Sequence, residues 1–188
     1  MSELTTAGTE HSTKGAYVHK GEEFDRDANY IEDRIVADPS SARLNEGAQA
    51  WPVEAGRYRL VAARACPWAN RTLIVRRLLG LEDAISVGLP GPTHDVRSWR
   101  FDLDEGGKDP VLGIERLQEA YFARFPDYPR GITVPAIVDI ETGGVVTNDF
   151  PQITEDFSTE WKQFHRAGAP DLWPEELVPE MREVMHRI

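Results

Sequence analysis

The sequence predicts an α/β domain. Three observations carry it. A strand-like run breaks into Cys66-Pro67 at the head of a helical pattern. A second strand-like run follows that helix directly. Two later strand-like runs are joined by a glycine turn.

Along the chain, residues 1–50 form a polar N-terminal arm rich in Gly, Ser, Thr and charge, expected to be extended or mobile. Its one patterned piece is FDRDANYIEDRI (24–35), where Phe24, Tyr30, Ile31 and Ile35 are placed to anchor a short segment on something larger. The folded unit is assigned to residues 51–167. RYRLVAA (57–63) reads as a strand, with Tyr58, Leu60 and Ala62 alternating against Arg59, Val61 and Ala63. Trp68, Leu73, Ile74 and Leu78 have helical spacing, with Pro67 at the first helical position, Arg76 and Arg77 on a solvated face, and Gly80 as the stop. AISVG (84–88) is the next strand. Residues 89–109 are an irregular insertion of a length that is usually functional or mobile in a compact domain. PVLGIERLQEAYFAR (110–124) reads as a second amphipathic helix. ITVPAIVDI (132–140) and VVTND (145–149) flank ETGG, a hairpin signal, and another helix is expected from near Phe150. GAPDLWP (168–174) is a linker, and PEELVPEMREVMHRI opens a further helix within 168–188.

Composition narrows the function classes. The net charge is -11, from 32 acidic and 21 basic residues, which argues against nucleic acid or an anionic membrane as partner. The single cysteine forbids an internal disulfide and a Cys-cluster metal site, and fits a reducing compartment. No apolar run approaches the ~18–20 residues of a membrane span, and MSELTTAGTEHSTKG lacks the apolar region of a signal peptide, so the chain is read as cytoplasmic. No metal is expected. DLDEGGKD (102–109) begins like a calcium loop, but the spacing puts Gly106 at a ligand position and Gly113 where the bidentate Glu belongs.

Cys66 then stands at the end of a strand and the start of a helix. There its thiolate would face unpaired backbone N–H groups and the positive end of the helix dipole, with Arg64 and Arg71 adding positive potential. The alternative is an inert buried cysteine. Val134-Pro135 opens a later strand, where proline disfavours a sheet interior and a cis bond is accessible. A cis bond there would offer the Val134 backbone to an extended ligand. Together these features describe the thioredoxin architecture, a mixed sheet with flanking helices. The second cysteine of a Cys-x-x-Cys motif is absent, since Ala69 stands in its place. A mixed disulfide on Cys66 must therefore be resolved by an external thiol.

CPWANRTLIVRRLLGLED (66–83), SWRFD (98–102), ITVPAIVD (132–139) and VVTND (145–149) resemble the glutathionyl-hydroquinone reductases, the Xi-class glutathione transferases related to the omega class. FDRDANYIEDRI resembles that family's N-terminal segment. The resemblance implies that Cys66 attacks the sulfur of a thiol-conjugated hydroquinone and releases the quinol, and that a second thiol then frees Cys66. It implies that Trp99 and Arg100 line the thiol pocket and that Val134 and Pro135 clamp the cysteinyl part of glutathione. Asn148 and Asp149 match the segment that holds the γ-glutamyl group, and full-length members dimerise.

Two departures qualify this. Asn148-Asp149-Phe150-Pro151 stands where the family has Asn-Glu-Ser-Ser, so a carboxylate is shortened and a hydroxyl lost. NDFPQIT resembles a bacterial branch from cells that make mycothiol, which makes mycothiol the expected cosubstrate beside glutathione. In addition, residues 168–188 resemble only the first helix of the family's all-α C-terminal domain, so the sequence reads as truncated, without the aromatic quinone pocket. Two rival readings remain: a non-catalytic thiol- or partner-binding module, and a general monothiol reductase of mixed disulfides.

Overall fold

The computed structural model describes residues 29–40, 42–92, 94–95 and 97–187. Phe24 lies outside them. The described chain starts with two three-residue strands, β1 (Arg34–Val36) and β2 (Ala50–Pro52), paired in parallel with Arg34 opposite Ala50. Ile31 and Ile35, read as anchors, do pack on the core; the polar residues around them, expected to be extended or mobile, are also fastened to the body by partners far away in sequence. Arg34 bonds Asp156 at 2.5 Å, Asp33 accepts from Arg124 at 2.6 Å, and the Ala37 N–H donates to Glu160 at 3.0 Å. A polar segment looks solvated when its partners lie on other elements.

The body is a four-stranded sheet. Its strands are β3 (Tyr58–Val61), β4 (Ile85–Gly88), β7 (Ala136–Asp139) and β8 (Val145–Thr147). β3 runs parallel to β4 and antiparallel to β7, which pairs antiparallel with β8. β3 is therefore central, and all four of its residues are buried. Arg59 is no exception: at 5 % exposure it meets the fully buried Asp109 at 2.7 Å. A buried cation must be paired, and this pair ties the insertion to the sheet.

Helix α1 (Pro67–Leu79) starts with proline in its first turn and ends at Gly80, whose φ of 76° is left-handed. A Cβ there would lie 2.5 Å from that of Arg166, so glycine is required twice over, by conformation and by space. Arg76 does not sit on a solvated face as expected. Half-buried, it donates to the Ile85 carbonyl at 2.6 Å, at the start of β4; Arg77 is exposed. The insertion holds a small hairpin, β5 (His94–Asp95) and β6 (Ser98–Trp99).

Helix α2 covers Leu117–Arg124, not 110–124. Asp109 accepts from the backbone N–H groups of Val111 and Leu112, and Gly113 takes a φ of 70°. The Glu119 carboxylate then accepts from the N–H groups of Glu115 and Arg116 and so fixes the helix start. The apolar spacing over 110–116 belongs to a turn packed on the core. Helix α3 (Phe150–Thr159) packs against α1, and α4 (Val178–His186) follows the linker. Trp161 is fully buried between Tyr58 and Phe157, with ring centroids 6.0 Å and 6.2 Å away. Among the described residues, no helix is long and apolar enough to cross a membrane.

Candidate active site

β3 ends at Val61, and the turn after it delivers Cys66 to the N-cap of α1, with φ -93° and ψ 118°. Proline at the next position costs nothing, because the first N–H of a helix has no intrahelical partner. The thiol is 8 % exposed. Its sulfur lies 3.6 Å from the Val134 carbonyl oxygen, and the Val134–Pro135 peptide bond is cis. Two segments 68 residues apart thus meet at one sulfur.

The loop before Pro135 is held from behind. Tyr121 donates its hydroxyl to the Thr133 carbonyl at 3.0 Å. Asn148 donates to the Thr133 hydroxyl at 2.8 Å and accepts from the Ile31 N–H at 2.7 Å. Thr147 donates to the Ile31 carbonyl at 2.6 Å. Asn148 is 1 % exposed, with both ends of its amide bonded to protein. It was expected among the ligand-binding residues; here its side chain is bonded to Thr133 and Ile31, behind the loop that carries Val134.

Asp149 caps α3, accepting from the Gln152 N–H at 3.2 Å. Phe150, the first residue of that helix, packs edge-on to Tyr30 at 6.1 Å and tilted to Trp68 at 6.3 Å, two residues beyond Cys66. The Arg71 guanidinium lies 5.8 Å from the Phe150 ring centre, a cation–π geometry. Arg71 therefore packs on this aromatic cluster. Trp99 is buried in the same apolar cluster as Cys66 and lies edge-on to His94 at 4.9 Å. Arg100 is exposed, and its carbonyl accepts from the Gly91 N–H at 2.8 Å. Ser98, between them and the turn, holds a φ of 110°, a region disfavoured for any residue with a Cβ.

Cys66, Val134 and Pro135 therefore converge. Sequence reasoning read Tyr30 and Ile31 as anchors, and they are, on Phe150 and Asn148; it missed Thr133 and the packing of Phe150 on Trp68 and Arg71. The Ile31–Asn148 contact spans 117 residues, and no local spacing marks it.

Chemically, a thiol at a helix start beside a backbone carbonyl and a cis-proline can take a sulfur-bearing ligand in extended form. Residues 65–160 match the family model described as glutathione S-transferase, N-terminal domain. A glutathionyl-hydroquinone reductase of Escherichia coli is 32 % identical over 179 residues, 94 % of this chain and 54 % of that protein. A crystal structure of a glutathione transferase from Gordonia bronchialis superposes with a TM-score of 0.77 at 67 % identity, covering 83 % of this chain and 46 % of that one. The glutathione-bound structure of the Escherichia coli transferase homologue gives 0.71 at 32 % identity, over 81 % of this chain and 50 % of that one. The chain spans about half the length of these relatives. With its thioredoxin-like sheet, its Cys66–Pro67 helix start and its cis-Pro135, the chain belongs to the glutathione S-transferase family, and the relatives it resembles include glutathionyl-hydroquinone reductases and Xi-class transferases.

Proposed function

We propose that this chain carries the thiol-handling half of a thiol-dependent reductase that cleaves thiol-conjugated hydroquinones through a mixed disulfide on Cys66. The observation that carries the reading is the Cys66 sulfur 3.6 Å from the Val134 carbonyl at the cis-proline. In the first step the Cys66 thiolate attacks the sulfur of the conjugate. The carbon–sulfur bond breaks, its electron pair stays on the ring carbon, and that carbon takes a proton to give the free hydroquinone. The two sulfurs are thereby oxidised to a disulfide. A second thiolate then attacks the sulfur of the bound cosubstrate and expels the Cys66 thiolate. One conjugate and one thiol become one hydroquinone and one small disulfide. Cys66 is the nucleophile, Val134 and Pro135 clamp the cysteinyl backbone, and Trp99 and Arg100 border the pocket. The chain supplies no resolving cysteine, so the cosubstrate must be abundant, as small thiols are in the cytoplasm.

The cosubstrate we favour is mycothiol, with glutathione the rival. Phe150 and its aromatic neighbours occupy the start of α3, where relatives of this type are expected to offer a serine hydroxyl to a carboxylate. Asp149 beside it already caps the helix and would repel an anionic group.

Intact mass tests both points. Native protein is incubated with glutathione disulfide and, separately, with mycothiol disulfide. The expected result is one adduct on Cys66, faster with mycothiol, reversed by the matching free thiol and lost in C66S. A folded protein that takes up neither disulfide would mean that Cys66 is packing, and that the chain is a binding module. Faster uptake of glutathione would overturn the mycothiol preference alone.

A further inference from the structure

Residues 30 and 31 of the N-terminal segment hold the wall that Cys66 faces. Ile31 gives its N–H to Asn148 and its carbonyl to the Thr147 hydroxyl, at 2.7 Å and 2.6 Å. Asn148 passes the connection to the Thr133 hydroxyl at 2.8 Å, and Thr133 immediately precedes the Val134 whose carbonyl meets the sulfur. Thr133, Asn148 and Thr147 are 2 %, 1 % and 3 % exposed. Water cannot substitute easily for a lost partner at such sites, so each bond constrains the next. One residue before Ile31, Tyr30 packs on Phe150, which packs on Trp68 of the Cys66 helix. The segment thus braces the clamp through Asn148 and the helix start through Phe150.

We infer that Asn148 is a positioning residue. Through Thr133 it couples the N-terminal segment at Ile31 to the Val134–Pro135 clamp, so that docking of residues 29–36 sets how tightly a thiol cosubstrate is held beside Cys66. This rests on the reading of Val134 and Pro135 as the clamp. It separates holding from chemistry: a slack clamp weakens saturation by an extended cosubstrate but leaves the sulfur as reactive toward a small reagent that needs no clamp.

The test uses the full chain with T133V, which removes the hydroxyl, T133S, which keeps it, and N148A. Mycothiol and glutathione disulfides serve as extended reagents and iodoacetamide as the small one. Loss of one buried, fully bonded contact is expected to raise the half-saturating disulfide concentration about tenfold in T133V and N148A. Iodoacetamide alkylation should stay within about twofold of wild type, and T133S should behave as wild type. Hydrogen exchange should speed up together in peptides 29–36 and 130–136 of T133V, with the central strand 58–61 unchanged. Wild-type exchange in both peptides, or an unaltered half-saturating concentration with a normal alkylation rate, overturns the inference. Faster exchange in 58–61 as well would reduce Asn148 to general stability and overturn it too. If the wild type accepts neither disulfide, the reading of Cys66 falls, and coupled exchange of the two segments alone decides whether Asn148 links them.

Discussion

At the scale of single residues, Asp156 has the most distinctive environment. Burial pushes its carboxyl up to about 6, although Arg34 and Gln152 both donate to it and work the other way. The folded value exceeds the ordinary carboxylate value of about 4, so the folded state holds this proton more tightly than the unfolded chain. The contribution is fully present below about pH 4 and is lost as pH rises through about 6, a loss of about 2–3 kcal/mol. Thermal melts should show wild type losing stability relative to D156N between about pH 4 and 6; a constant difference would contradict the shift. Asp139 goes the other way: burial alone would raise it, but hydrogen bonds from Arg57 and Thr142 bring it below its ordinary value. Phe150 supplies the second prediction at this scale. F150S should speed glutathione adduct formation about five- to tenfold, from one restored polar contact, and slow that of mycothiol. Parallel mass measurements check both.

At the scale of elements, the sequence was most legible where a local rule decides the structure. Pro67 and Gly80 bracket α1 because proline suits a first turn and a left-handed φ suits glycine. The ETGG turn closes β7 onto β8, with Gly143 at a φ of 69°. Cys66, Val134 and Pro135 were legible for the same reason. Legibility failed where a remote partner decides. The start of α2 moved to Leu117 because Asp109 engages both Arg59 and the N–H groups of the next turn. β1 and β2 were invisible because Asp33 needs Trp51, which donates at 2.8 Å, and Arg124, which also reaches the Val145 and Val146 carbonyls. R124A would strand the buried Asp33 carboxylate with too few donors. A cost of about 3 kcal/mol is expected, measured by urea denaturation. A change below about 0.5 kcal/mol would show the pair to be no stronger than an exposed one.

At the scale of the whole molecule, the ties from residues 31–37 reach α2, α3 and Asn148, so β1 and β2 should unfold with the sheet. The five tryptophans make this measurable. With 5-fluorotryptophan, the resonance of Trp51 in β2 and that of the core residue Trp161 should share one denaturation midpoint. An earlier transition for Trp51 would make the N-terminal segment a separate unit. Elsewhere, Ile74, Leu78, Leu177 and Val184 are 51 %, 40 %, 46 % and 50 % exposed along α1, the turn before α4, and α4.

The near-burial of the Cys66 sulfur sets a limit by girth. Disulfide exchange needs three sulfurs close to a line, and the Val134 carbonyl already occupies one side of this one. Slender partners, whose sulfur hangs on an unbranched carbon with nothing broad behind it, can bring a sulfur into line. A disulfide rooted in the surface of a folded protein carries its neighbouring residues with it and stops short. In a crowd of oxidised thiols, this chain should therefore sort by shape before it sorts by chemistry, passing over modified proteins and taking small conjugates.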